Sequence, residues 1–118
     1  MTIRALLSES TGPQRVAVLA DTIDSGKHLV ESTLADLVTT RNHGTRGDYR
    51  IGHHRVIVAT PRSRTRIRGF TLTAVLIDSW PAYNAVLPTL MPCLLGSHRV
   101  RWFDRDGELP DRPECQPD

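Results

Sequence analysis

Residues 55–78 read RVIVATPRSRTRIRGFTLTAVLID, and the fold class turns on the two aliphatic runs at either end of this stretch. Residues 55–59 (RVIVA) are halted by Thr60-Pro61, and residues 73–77 (TAVLI) end at Asp78. Neither run alternates apolar with polar. A strand covered on one face only would alternate, so both read as strands buried on two faces.

Working outward, residues 15–20 (RVAVLA) and 99–103 (RVRWF) repeat the pattern. Residues 22 to about 40 read as a helix, with Ile23, Val30, Leu34, Leu37 and Val38 largely on one face. Asp21 or Thr22 can cap its start, and Asp24 suits the positive end of its dipole. Residues 81–95 read as a second, apolar helix stopped at Gly96, broken or kinked by Pro88 and Pro92. Residues 49–51 read as a short strand entering a turn at Gly52, 42–47 as a loop and 104–107 as a turn. The opening residues 2–7 fit a short strand or a helical turn equally. The order strand, helix, strand, strand, helix, strand predicts one α/β domain over residues 1–109, followed by a flexible tail over 110–118. Its architecture is expected to be a small, mostly parallel sheet flanked by helices, a P-loop-NTPase-like or Rossmann-like three-layer sandwich. Ligands of such sheets gather at the carboxyl ends of the strands.

A chain of 118 residues supplies one core without metal or disulfide staples. Aromatic residues make up only 5%, so that core must rest on Val, Leu, Ile and Ala. Cys93 and Cys115 form no disulfide framework or zinc spacing, which fits free thiols in a reducing cytoplasm. No apolar run approaches the roughly 20 residues of a membrane span, so no membrane role is expected. The basic residues are 14 Arg and the single Lys27, a bias that suits a high-GC bacterium or its phage. Charge is uneven: residues 1–40 carry −2, residues 69–118 carry −3, and residues 41–68 carry eight Arg against Asp48 alone, a net of +7. That middle is either a localised anion-binding face or a set of arginines neutralised by the acidic flanks.

Three constellations bear on chemistry. Gly26-Lys27 near the start of the first long helix resembles a phosphate loop, whose glycines let backbone amides wrap phosphates while the lysine offsets charge. Asp21 and His28 stand where a first glycine and a hydroxyl would be needed. Asp78, at the end of an apolar strand, has the layout of a magnesium-organising aspartate, but Ser79 follows where active ATPases place a glutamate. Arg62, Arg64, Arg66 and Arg68 recur every second residue, so an extended chain would point all four one way, toward a phosphate backbone. Arg55 adds to this basic stretch. His28, His43, His53, His54 and His98 show no metal-ligand spacing, and no G-x-S-x-G nucleophile elbow is present. No cofactor is expected.

Taken together, residues 15–103 resemble part of the ATPase core of phage large terminases and related superfamily 2 helicases. RVAVLA with its following helix resembles the strand and helix after the nucleotide loop. RVIVATPRSRTRIRGFTLTAVLIDSW resembles the strand, Arg-Gly loop and Walker B strand, and AYNAVLPTLMPCLLGSHRVRWF the helix and strand beyond. The resemblance aligns Asp78 with the Walker B aspartate and Arg68-Gly69 with the Arg-Gly pair. It implies a core that binds ATP and magnesium and moves along DNA. This chain departs from that pattern at Ser79 and lacks an intact phosphate loop, which implies a reduced core without turnover. The expectation is a cytoplasmic, non-catalytic nucleic-acid-associated protein of phage or prophage origin. The alternative is a protein-interaction or regulatory module, either a homo-oligomer or a modulator of a host protein, anchored by Trp80, Tyr83 and Trp102.

Overall fold

The computed structural model describes residues 1–38, 47–94 and 100–114. The chain begins with helix α1 (Ile3–Glu9), whose first turn is capped by the Thr2 hydroxyl accepting from the Ala5 amide at 3.1 Å. Strand β1 (Arg15–Leu19) follows, then helix α2 (Ile23–Thr33). Thr22 caps α2 in a reciprocal box with Ser25, each side chain accepting from the other's amide at 3.0 and 3.3 Å. The helix ends at Leu34, well short of residue 40, and a turn closed on the Leu34 carbonyl carries the chain to Val38. Strands β2 (Asp48–Ile51) and β3 (His54–Ala59) form a hairpin that turns at Gly52, φ 62°. A 3₁₀ turn (Arg64–Ile67), strand β4 (Ala74–Ile77), helix α3 (Trp80–Leu94) and the hairpin β5 (Arg101–Asp104) and β6 (Gly107–Leu109) complete the chain.

The six strands form one mixed sheet in the order β2-β3-β1-β4-β5-β6. The expected mostly parallel sheet is corrected here. Pairs β3–β1, β1–β4 and β4–β5 are parallel, but both rims are antiparallel hairpins. A two-residue turn returns the chain beside its own strand, and such turns allow only antiparallel pairing. The chain steps from β1 to β3 in one direction and then back across β1 to β4 and β5. Crossovers of one hand therefore lay α2 on one face and the 3₁₀ turn with α3 on the other. Val16, Val18, Val56, Val58, Leu76 and Phe103 pack against α1 and α2 through Leu6, Leu7, Val30 and Leu34. Leu19, Ile57, Val75, Ile77 and Trp102 pack against Tyr83, Val86, Leu90 and Ile67. The continuous aliphatic strands are thus buried on both faces, as their lack of alternation predicts.

Two further expectations change. Helix α3 is not broken at Pro88 or Pro92; it runs through both, and both prolines are exposed. The expected turn over 104–107 gives way at Gly107 to β6, a strand the sequence reading did not contain, and the Tyr83 hydroxyl donates to the Pro113 carbonyl. The Glu108 amide donates to the Met1 carbonyl at 3.1 Å, so the first residue covers the outer edge of β6. The readings of Gly96, His43, His98, Cys115 and most of the 42–47 loop lie outside the described residues. None of the described helices is long and apolar enough to cross a membrane.

Candidate anion-binding surface

Strand register brings together three arginines that are far apart in sequence. Arg55 on β3 stands opposite Arg15 on β1 and opposite Arg50 on β2. Paired residues share a face, and Ile57 and Ala17, two positions along, belong to the α3-side core. The three guanidinium groups therefore form a row across neighbouring strands on the α3 side, spanning about 10 Å over two strand spacings. Asp48 holds the middle one, accepting from Arg55 Nε at 3.1 Å and Nη2 at 2.7 Å. That hydrogen-bonded carboxylate raises the pKa of Arg55 further. Arg15 and Arg50 are exposed and have no side-chain partner among the described residues. They border a depression of about 220 Å³ with Pro13, Gly52, His53, His54 and Arg55, and no carboxylate among the described residues lines it.

The second part of the surface comes from the Arg-rich loop, but not in the expected form. Thr60 and Ser63 bond each other at 2.7 Å and open a turn, and residues 64–67 then wind into a 3₁₀ helix. Three residues per turn scatters an every-second-residue pattern around the axis, so the four arginines do not share a direction. Arg66 turns inward, and its Nη1 donates to the Val58 carbonyl at 3.1 Å. It continues the β3 ladder past Gly47, whose own carbonyl accepts from the Val58 amide at 2.7 Å. Arg62, Arg64 and Arg68 remain exposed. Arg64 and Arg68 border a groove of about 680 Å³ against α3, with Gly69, Phe70 and Thr71 on their side and Pro88, Thr89, Pro92 and Cys93 opposite. Again no carboxylate among the described residues lines it. The buried Cys93 thiol donates to the Ile67 carbonyl at 3.0 Å and is pushed up in pKa by burial, so it anchors the turn rather than reacting.

The two depressions meet at one contact: the Arg55 guanidinium lies over the Phe70 ring, 4.6 Å from its centroid. Of the predicted basic residues, Arg62, Arg64 and Arg68 thus form an open surface, while Arg55 and Arg66 are engaged internally. Arg15, Arg50 and His53 are the residues that sequence reasoning missed. A signal existed for one of them, since Arg15 and Arg55 occupy the same place at the head of RVAVLA and RVIVA.

The carboxyl edge of the sheet, where a ligand was expected, is closed on itself. Gly26 sits inside α2 rather than in a loop before it, and its amide donates to the Thr22 carbonyl at 3.1 Å. The glycine is needed for packing: a Cβ there would meet Val58 Cγ1 at 2.3 Å. Lys27 is a half-buried residue of the same helix. The Asp78 side chain, only 4% exposed, lies beneath Arg105, whose Nε donates to it at 2.8 Å. The position read as a magnesium ligand is therefore occupied by a guanidinium. Ser79 caps α3 by accepting from the Ala82 amide at 3.3 Å, and its hydroxyl donates to Asp21.

Among the described residues no cluster of His, Cys, Asp and Glu could hold a metal. His54 is buried and its Nδ1 accepts from the Gln14 amide at 3.0 Å. Burial, with His53 beside it, holds its pKa below the usual imidazole range, against a smaller pull from the Leu7 carbonyl. The three aromatic residues named for the interaction-module alternative pack together, with Trp80 half-buried. Trp80, Tyr83 and Trp102 stack edge to face at 5.8 and 6.1 Å, and Tyr83 and Trp102 are buried. No protein-family model, curated protein or solved structure matches this chain.

Proposed function

We propose that this chain is a non-catalytic, nucleic-acid-associated protein that grips the phosphate backbone through Arg15, Arg50, Arg62, Arg64 and Arg68. The observation that carries this reading is the row of Arg50, Arg55 and Arg15 on one face of three neighbouring strands, with Asp48 the one carboxylate bonded to it among the described residues. Like charges directly across a sheet are destabilising, so an anion that neutralises them would recover what folding gives up there. Absence of turnover is supported by Ser79 and Asp78, whose side chains are engaged with Asp21 and Arg105. The order β3, Arg68-Gly69, β4, Asp78 supports the further reading of a reduced terminase- or helicase-like core. A phage or prophage source and action in the cytoplasm go with that reading.

Fluorescence anisotropy with a labelled mixed-sequence DNA, repeated across KCl concentrations, tests this. Each neutralised phosphate contributes about −0.9 to the slope of log K against log salt on duplex, so five arginines set a limit near −4.5. No binding at low salt rejects the proposal.

A further inference from the structure

We propose that the groove between the 3₁₀ turn and α3 takes an unpaired base, so that the preferred ligand is single-stranded nucleic acid. This rests on the phosphate-binding reading and names its substrate class. Three features point to it.

The first is Phe70, a half-buried aromatic on the groove wall and the place where both basic depressions meet. Asp48 fixes Arg55 through two hydrogen bonds, and Arg55 in turn covers the Phe70 ring. The ring is therefore held before any ligand arrives, and the part left exposed opens into the groove. A pre-set aromatic loses little freedom on stacking with a base.

The second is the opposite wall. Pro88 and Pro92 are one helical turn apart and both border the groove. Proline has no rotamer freedom to lose, and its ring is a compact apolar surface. Thr71 and Thr89 add hydroxyls, one on each side. A groove of about 680 Å³ lies within the roughly 300–1,000 Å³ range of small-ligand sites.

The third is charge. Arg64 and Arg68 flank the groove without a carboxylate, and Arg50 and Arg15 lie beyond the Phe70–Arg55 contact. A strand laid across this surface would have phosphates over arginines on both sides of one base at Phe70. A duplex keeps its bases stacked inside and offers no face to the ring. It would use the arginines and leave the groove empty.

The test compares three labelled 12-residue probes at one salt concentration: oligothymidylate, oligouridylate and an abasic strand with the same phosphates. Either base-bearing strand is expected to bind roughly tenfold tighter than the abasic one. Phe70→Leu should erase that difference while leaving abasic affinity unchanged. A strand carrying 2-aminopurine, read on the unaltered protein, should be quenched on binding, which keeps the test independent of how the variant folds. Equal binding of all three probes without quenching overturns base capture and leaves phosphate binding standing. No binding of any probe overturns both.

Discussion

The Ser79 hydroxyl donates to Asp21 Oδ1 at 2.6 Å, joining the loop after β1 to the loop after β4. Ser79 Oγ also accepts from the Ala82 amide, so one side chain both caps α3 and closes the crevice between neighbouring strands. Ser79→Ala is expected to lower stability by about 1–2 kcal/mol, from the lost cap and the lost bond to Asp21. Urea unfolding measures this. Nucleic-acid affinity should not move, because Ser79 bonds Asp21 and the Ala82 amide and none of the five gripping arginines.

Gly26→Ala tests the contact of α2 with the sheet. Alanine is better than glycine inside a helix by about 1 kcal/mol, so propensity alone predicts a gain. A Cβ at 2.3 Å from Val58 Cγ1 predicts instead a net loss of about 1–3 kcal/mol. The double variant with Val58→Ala should be less unstable than the two single losses added together, and a four-way comparison of urea midpoints reads that coupling.

The arginines divide into two groups with opposite signatures. Arg15→Ala with Arg50→Ala should weaken nucleic-acid binding and make the salt slope shallower by about 2, with little loss of stability, since two charges that repel Arg55 are removed. Arg66→Ala should leave the slope unchanged and cost about 1–2 kcal/mol of stability, because the Val58 carbonyl loses its donor. Measuring affinity and stability on both variants separates the groups. A shallower slope for Arg66→Ala would contradict the division.

His54 predicts a pH dependence of folding. Its pKa is lower in the folded protein than in the unfolded chain, so between the two values the unfolded chain binds more protons. Stability is full above the unfolded value of about 6.5 and is lost as pH falls through the folded one. Urea midpoints should therefore drop between pH 7 and pH 5.5. His54→Gln should flatten this part of the profile, whatever it does to the midpoint at pH 7.

The sequence read alone reaches most of the scaffold and about half of the surface, for a physical reason. Strands such as RVAVLA announce themselves because burial on two faces removes every polar position. Segment β6 has three residues and gains its structure only from pairing with β5, so no local pattern marks it. The Arg-rich loop shows the same limit. Spacing of two has meaning on an extended chain, and the Thr60–Ser63 turn makes the chain helical instead. Arg15, Arg50 and Arg55 converge through pairings across 40 and 5 residues, a fact of register that composition does not encode.

The two rims of the sheet are unlike. Met1 occupies the free edge of β6, while β2 is terminal and carries Arg50 in its middle. A charged side chain on a terminal strand discourages two such strands from joining. A polyanion that neutralises Arg50 also removes this guard, so mixtures with nucleic acid near charge balance should turn cloudy, and excess of either component should clear them.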